Sequence, residues 1–360
     1  MGVSQHSSAE REPQRVPIAE TLVEVTRGRI TESRHRGHVV AVEPEGNIVA
    51  SLGSPGTVTY LRSSAKPHQA IPLVVSGAAD HFGFTEREIA LACASHSGEE
   101  IHTTIAASML QKVGLEPSAL KCGAHEPFAA EVARHLREKG GAPNSLQNNC
   151  SGKHAGMLAL ARFLGAPTET YDDLKSPVQQ AISTVISQFS GVPSQKIEFG
   201  IDGCGVPVFA IPVEAMALMY ARLVSPPLDL DEKARKACSR IVSAMVSYPE
   251  LIGGTSDRLD TEMMRATKGK LVSKVGAEGV YTAGILPCEH WPNGLGLAIK
   301  IEDGNDHRAR PTVVIESLRQ LGLLKADTLQ AISSYASFPV RTRRGDVVGK
   351  VSPSFTLTRY

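Results

Sequence analysis

The sequence predicts a mixed α/β (α+β) fold in which strands from both chain ends form one antiparallel sheet, flanked by helices, beside a helical domain. Residues near both ends alternate in polarity as strands do, whereas apolar residues in the middle recur at helical spacing. A sheet shared by distant parts of the chain implies a discontinuous domain. We therefore predict a polar leader at 1–20, a sheet-containing α/β domain at 21–75 and 255–360, and a mainly helical domain at 76–254.

The terminal parts of the chain contain most of the predicted strands. Alternating polarity predicts strands at 22–27, 38–42, 48–52, 57–61, 279–286, 295–301 and 345–351. The run Glu43–Asn47 is typical of a hairpin turn, because it combines proline, glycine and asparagine. A helix is predicted at about 309–321, after the paired strands.

The middle of the chain is predicted to be helical. Apolar residues at helical spacing predict helices at 128–139, 152–164, 177–190 and 212–224, interrupted by a strand at 196–201. Thr85 with Glu88, and Ser97 with Glu100, each form the pattern of a capping box before a helical run. Ser95 should therefore lie in the corner between two helices.

Composition and charge narrow the class of protein. A chain of 360 residues, 42% of them hydrophobic, can bury a large core. The 38 basic and 37 acidic residues nearly cancel, so nucleic acid or an anionic membrane is not an expected partner. No apolar run approaches the roughly 20 residues that span a bilayer, and the six cysteines are scattered. We expect a cytoplasmic protein with free thiols or metal ligands, acting on a small neutral or zwitterionic substrate.

Ser63 and Lys66 are the first candidate catalytic residues. Three positions apart on a helical turn, a hydroxyl and an amine can act as nucleophile and base, provided that the lysine loses its proton near neutral pH. Pro67 places both near the start of a helix, where free backbone N–H groups can stabilise an oxyanion. By itself this four-residue pattern also arises by chance, with the lysine in solvent.

Two further patterns make acyl transfer the better interpretation. Serine hydrolases of the β-lactamase and penicillin-binding type carry S-x-x-K, then a serine in an interhelical loop, then a lysine and glycine near a C-terminal strand. Ser95 and the pair Lys274 and Gly276 follow in that order. A second ammonium would lower the pKa of Lys66, and Ser95 could relay protons. The alternative makes Ser95 a capping residue and Lys274 an ordinary strand-edge lysine.

A second cluster contains two cysteines. Cys150 and Lys153 begin a predicted helix, and the glycine-rich run after Ile201 could bring Cys204 beside them. Two thiolates and a nitrogen suit zinc, although buried structural cysteines are the plain alternative. The sequence before Lys153 lacks the first glycine of a phosphate-binding loop, which excludes nucleotide binding.

Taken together, these motifs closely resemble the Rhizobium etli-type L-asparaginases, over almost the whole chain after residue 20. The segments that carry the resemblance are Leu61–Pro67, Ala94–Ser97, Asn148–His154, Asp202–Pro207 and Leu271–Val280. The resemblance implies a serine β-lactamase/glutaminase-like fold, a homodimer, and hydrolysis of L-asparagine to L-aspartate and ammonia.

The family also implies roles for individual residues. Ser63 with Lys66, and Ser95 with Lys274, correspond to its two Ser-Lys pairs. The implied zinc ligands are Cys150, Lys153 and Cys204, and the neighbouring residues expected to hold substrate or the surroundings of the metal are Arg62, His154 and Asp202. Because Ser63 already supplies a nucleophile, we expect zinc to orient substrate.

Three alternatives remain open at this point. Two are enzymes of the same fold, a glutaminase and a β-lactam hydrolase. The third is a catalytically silent, zinc-dependent amino-acid-binding protein.

Overall fold

The large antiparallel sheet joins the two ends of the chain. The structure is a computed structural model that describes residues 18–360, so positions 1–17 of the predicted leader lie outside the described residues. Its strands are β1 Glu20–Arg27, β2 Ile30–Val42, β3 Ile48–Leu52, β4 Val58–Tyr60, β5 Glu198–Ile201, β6 Pro207–Pro212, β7 Leu271–Gly276, β8 Val280–Ile285, β9 Leu295–Ile301, β10 Phe338–Arg341, β11 Val347–Pro353 and β12 Thr358–Arg359.

The strand order confirms the predicted fold class. Along the large sheet the order is β10-β11-β1-β2-β9-β8-β7, with β3 paired to both β2 and β12. The central pairing is between β2 and β9, where Val39 faces Ile299 and Ala41 faces Leu297. Because β2 comes from the N-terminal part and β9 from the C-terminal part, the sheet is complete only when both parts of the chain have come together.

Two strand predictions need correction. The strand expected at 38–42 begins earlier, at Ile30, because residues 30–37 pair with β1. This part of the strand exposes charged side chains such as Arg34, so it lacks the apolar residues by which the sequence pattern is recognised. The strand at 345–351 is not the last, since Thr358 pairs with Ser51 of β3. A strand of two residues is too short to leave a pattern in sequence.

Helices fill the middle of the chain and cover the sheet. They are α1 Lys66–Gln69, α2 Ile71–Val75, α3 Ala78–His81, α4 Glu86–Ala92, α5 Glu100–Val113, α6 Ala130–Glu138, α7 Ser151–Phe163, α8 Pro177–Ser190, α9 Val213–Val224, α10 Glu232–Ser247, α11 Pro249–Ile252, α12 Leu259–Ala266, α13 Ala309–Gln320, α14 Ala326–Ala331 and α15 Ser333–Ala336. Short 3₁₀ turns lie at Arg62–Ala65, Pro117–Ala119, Ser145–Gln147, Thr168–Thr170 and Ser194–Lys196. Within residues 18–360, no helix has both the length and the apolar character needed to cross a membrane.

One of the two predicted capping boxes is wrong. Thr85 and Glu88 cap α4 reciprocally, as expected. At α5, however, the N-cap is Glu99, which pairs with His102, and not Ser97. The Ser97 hydroxyl donates instead to the carbonyl of Gly253 at 3.0 Å. Ser95 nevertheless lies in the corner between α4 and α5, as predicted.

A small three-stranded sheet of order β4-β6-β5 positions the two candidate clusters. Strand β4 leads directly into the Ser63 turn, and β5 leads into the loop that holds Asp202 and Cys204. Their shared partner β6 is buried along most of its length. The boundaries of the two predicted domains stay a prediction.

Buried packing extends to the helix that follows Ser63. The ring of His68 is fully buried and meets Phe189 and Tyr220 edge to face, with centroids 5.4 and 5.2 Å away. Burial lowers the pKa of His68 to about 4, and its hydrogen bond to the carbonyl of Met219 opposes this only partly. The ring is therefore neutral in the folded protein.

We predict that this histidine contributes to acid sensitivity. Since its folded pKa lies below the unfolded value of 6.5, stability is fully present above pH 6.5 and is lost as the pH falls toward 4. The loss should reach about 1.4 kcal/mol per pH unit. The free energy of unfolding, measured with urea for wild type and His68→Gln at pH 7, 6 and 5, tests this. If that free energy falls with pH equally steeply in the two proteins, His68 does not contribute.

Candidate active site

Ser63 lies at a sharp turn from strand to helix. Strand β4 ends at Tyr60, the Leu61 N–H donates to the carbonyl of Phe209 at 2.9 Å, and the helical turn starts at Arg62. Arg62 has φ of +51°, a left-handed conformation that strains a non-glycine residue and recurs at functional sites. Ser63 is partly exposed at this turn, where a substrate can reach its hydroxyl.

Lys66 is a buried lysine whose amino group is surrounded by oxygen atoms. Its Nζ donates to the carbonyl of Ala94 at 2.7 Å, to Ser95 Oγ at 2.9 Å and to the carbonyl of Asn149 at 3.4 Å. Among residues 18–360, no hydrogen bond joins it to Ser63 Oγ. The structure thus pairs Lys66 with Ser95, which belong to different predicted pairs. It gives Ser63 Oγ no hydrogen-bond partner among the described residues.

The Ser95 corner is clamped by the chain between α11 and α12. The Ser95 N–H donates to the carbonyl of Ile252 at 2.9 Å, and its own carbonyl accepts from Arg258 Nη2 at 2.6 Å. Arg258 Nη1 also donates to Ser97 Oγ at 2.8 Å. These bonds fix the backbone of Ser95, so only its hydroxyl can rotate.

Lys274 lies on β7 and is completely buried. Its Nζ donates to Asp260 Oδ2 at 3.2 Å and to the carbonyl of Val275 at 3.0 Å. In the described residues, no hydrogen bond joins it to Ser95. Burial lowers the pKa of Lys274 to about 8, with Lys66 acting in the same direction and Asp260 opposing it. A lysine with this pKa can give up or take a proton near neutral pH.

A close backbone approach brings β7 to the Ser63 turn. A Cβ added at Gly276 would lie 2.9 Å from the carbonyl oxygen of Leu61. Glycine is therefore required for this contact, which explains the glycine two residues after Lys274. The two predicted Ser-Lys pairs belong to one site.

The predicted metal ligands also come together. Lys153 Nζ lies 2.9 Å from Cys204 Sγ, and Cys150 Sγ lies 2.9 Å from the side-chain oxygen of Asn149. Its hydrogen bond with Cys204, together with the nearby lysines, holds the pKa of Cys150 well below its usual value, whereas the same bond and burial raise that of Cys204. Cys150 therefore loses its proton more readily than Cys204 does.

Three further predicted residues border this cluster. Arg62 Nε donates to Asp202 Oδ1 at 2.8 Å. Burial raises the pKa of Asp202, but Lys153 and Arg62 outweigh it and hold that pKa below its usual value. His154 Nδ1 lies 2.6 Å from the Tyr171 hydroxyl, and burial lowers the pKa of His154 to about 4. All ten predicted site residues thus lie in two adjoining clusters.

The donor set fits zinc by type. Two thiols and an amine converge, and His154 Nε2 beside them is buried without a hydrogen-bond partner among the described residues. No group of three or more His, Cys, Asp or Glu side chains within 18–360 is arranged to hold a metal ion. The candidate zinc site therefore has three ligands only if the Lys153 amine is counted with the Cys150 and Cys204 thiols.

Sequence reasoning missed the residues that hold the lysines. Asp260 binds Lys274, Arg258 binds the Ser95 corner, and the Asn149 carbonyl accepts from Lys66. Asp260 lies in the first turn of α12, where an acidic residue is already expected for the helix dipole. No sequence signal separates that role from contact with Lys274.

These features define a class of enzyme. A partly exposed serine beside buried lysines is suited to acyl transfer, and residues 23–353 match a family of enzymes that cleave side-chain amides. The protein is an amidohydrolase. More narrowly, it belongs to the L-asparaginase II family, which confirms the predicted membership and sets aside the silent binding protein.

Solved structures of hydrolases are loosely similar to the chain. A probable glutaminase from Bacillus subtilis, complexed with 6-diazo-5-oxo-L-norleucine, is 15% identical, with a TM-score of 0.39 over 80% of this chain and 84% of its own. A β-lactamase from Burkholderia ambifaria is 14% identical, with a TM-score of 0.35 over 79% of this chain and 92% of its own. No curated protein matches significantly.

We predict that Gly152 is needed to seat α7, which carries Lys153. A Cβ at Gly152 would lie 2.3 Å from the carbonyl oxygen of Leu91, whereas at Gly156, one turn later, the nearest atom is a Leu73 methyl at 3.3 Å. Overpacking costs about 1–3 kcal/mol. Gly152→Ala should therefore unfold at lower urea than Gly156→Ala, which carries the same helix-propensity gain. Equal midpoints would contradict the close α4–α7 contact.

Proposed function

We propose that the protein is an L-asparaginase that hydrolyses L-asparagine to L-aspartate and ammonia through an acyl-enzyme on Ser63. The observation that supports this most is the buried Lys66–Ser95 hydrogen bond beside the accessible Ser63 hydroxyl. A buried, hydrogen-bonded Ser95 is suited to relay protons, whereas Ser63, partly exposed and without a hydrogen-bond partner within residues 18–360, is suited to attack. Membership of the L-asparaginase II family favours a side-chain amide as substrate.

In the acylation step, Ser63 Oγ attacks the amide carbon and its proton passes to the neutral form of Lys66. The C–N bond breaks, its electron pair stays on nitrogen, and a proton from Lys274 reaches that nitrogen through the Ser95 hydroxyl. Ammonia leaves. Lys66 is then charged and Lys274 neutral.

Deacylation restores both lysines. Water gives a proton to neutral Lys274 and attacks the acyl carbon. The bond to Ser63 Oγ breaks, and Ser63 recovers its proton from Lys66. The same two groups thus exchange the roles of acid and base, as reversible acyl transfer requires.

The second cluster is suited to bind the amino-acid end of the substrate. Arg62 and Asp202 form an ion pair next to Ser63 and are only partly covered, so they can meet a carboxylate and an ammonium. We propose that Cys150, Lys153 and Cys204 would hold zinc, which would orient the substrate as a Lewis acid. A homodimer and a cytoplasmic location stay predictions.

The substrate assignment predicts a ranking of specificity constants. Purified protein should release ammonia from L-asparagine with kcat/KM above that for L-glutamine and should not hydrolyse a chromogenic β-lactam. A coupled ammonia assay and absorbance measure both. If glutamine gives the larger constant, the protein is a glutaminase.

The nucleophile is tested by a pair of neighbouring variants. Ser63→Ala should lower kcat at saturating asparagine by at least about 10³-fold, because the substitution removes the attacking hydroxyl at the helix entry. Ser64→Ala is the matched control, since the Ser64 hydroxyl is buried and donates to the carbonyl of Leu61 at 2.6 Å. Full turnover by Ser63→Ala would refute the assignment. A rate maximum below pH 6 would also contradict the mechanism, because the proton of Ser63 needs an amine base that is not already protonated.

Zinc is tested by metal content. The native protein should bind about one zinc per chain, and Cys204→Ala should lose it on dialysis, because a soft ligand is removed. Cys238→Ala is the control, since that buried cysteine lies in α10, outside the candidate ligand set. Equal zinc in both variants, measured by inductively coupled plasma mass spectrometry, would reject the site.

A further inference from the structure

Asp260 is a buried carboxylate that touches Lys274. Its side chain is 1% exposed, the Lys274 side chain is fully buried, and Oδ2 lies 3.2 Å from Nζ. A buried ion pair adds little net stability, because the loss of hydration offsets the attraction between the charges. The pair is better explained by its effect on Lys274 than by stability alone.

The carboxylate is held in one orientation. Oδ1 accepts from the Ser273 hydroxyl at 2.9 Å and from the Val275 N–H at 2.9 Å, so the residues on both sides of Lys274 bind it. Because the Ser273 hydroxyl donates its one proton to Asp260, the Tyr281 hydroxyl, 2.9 Å away, must donate to Ser273 Oγ. Asp260 cannot turn away from Lys274 without breaking these bonds.

Asp260 also balances a concentration of positive charge. The other titratable groups that act on Lys274 or on this carboxylate come from helices, strands and loops and are Lys66, Cys93, Tyr220, Arg258, Tyr281 and Arg310. Arg258 and Arg310 are cations, and the Cys93 thiol and the two phenols are neutral because burial raises their pKa values. Among the described residues, Asp260 is the carboxylate that hydrogen-bonds Lys274.

We propose that Asp260 is a positioning residue that fixes the Lys274 ammonium on β7 and keeps it protonated until ammonia leaves. The proposal rests on the acylation step described above, in which Lys274 must start with its proton. Without the carboxylate, burial and the Arg258 guanidinium would favour loss of that proton. The pKa of Lys274, about 8, agrees with this balance, since Asp260 raises it against burial and its positively charged neighbours.

Asp260→Asn tests the proposal, because it removes the charge and nearly keeps the shape. An opposite charge within this distance changes a pKa by about one to three units. The alkaline limb of kcat/KM for asparagine, where Lys274 loses its proton, should therefore move to lower pH by at least about one unit. Ser273→Ala is the matched control, since it removes one hydrogen bond to the carboxylate and leaves its charge.

A titration of Lys274 itself makes the test independent of turnover. In protein labelled with ¹³C at lysine Cε, the Lys274 resonance, assigned with Lys274→Arg, should titrate at lower pH in Asp260→Asn than in wild type. An unchanged titration in the folded variant would overturn the proposal. If wild type releases no ammonia from either amide, the proposed function fails, while this titration still decides whether Asp260 controls Lys274.

Conservative variants separate charge from fold. Asp260→Glu keeps the charge and should restore the alkaline limb toward its wild-type position, even where kcat is reduced. Asp260→Ser replaces Asp260→Asn if the latter does not fold, as judged by circular dichroism, and should show the same downward shift. If the alkaline limb of kcat/KM instead lies at the same pH in wild type, Asp260→Ser and Asp260→Glu, the role of Asp260 is structural only.

Discussion

The site depends on the burial of three lysine amino groups. Lys66, Lys153 and Lys274 are each 3% exposed or less, and an ammonium out of water is costly unless partners replace its hydration. The partners differ in kind. Carbonyls and a hydroxyl surround Lys66, a thiol contacts Lys153, and a carboxylate contacts Lys274.

The different partners give the lysines different chemistry. A carboxylate opposes the loss of the proton from Lys274 but does not abolish it, so that lysine stays within reach of neutral pH. Lys153 is held charged by two thiols and Asp202, which raise its pKa strongly. One residue type therefore supplies both a titrating group and a fixed charge, according to what lies beside it.

Much of this arrangement was predictable from sequence, because local patterns carried it. The serine at a helix entry, the corner at Ser95 and the approach of Cys204 to Lys153 follow from capping residues, Pro67 and the positions of glycines. The partners of the lysines were not predictable, since they depend on packing between distant elements. Within one helical turn Lys66 was expected to face Ser63, but carbonyls of two other loops offer it better acceptors. No sequence pattern indicated that Asp260 contacts Lys274.

The order in which the large sheet is assembled limits when the enzyme can become active. On the side away from β1, strand β2 pairs with β9. Strand β7, which carries Lys274, is connected to β9 through β8. During synthesis the Ser63 turn and the helical middle leave the ribosome long before these strands. Such non-local pairing is slow and leaves strand edges uncovered in the meantime. The nascent chain must therefore carry its nucleophile, without its second lysine, until nearly all of it has been made.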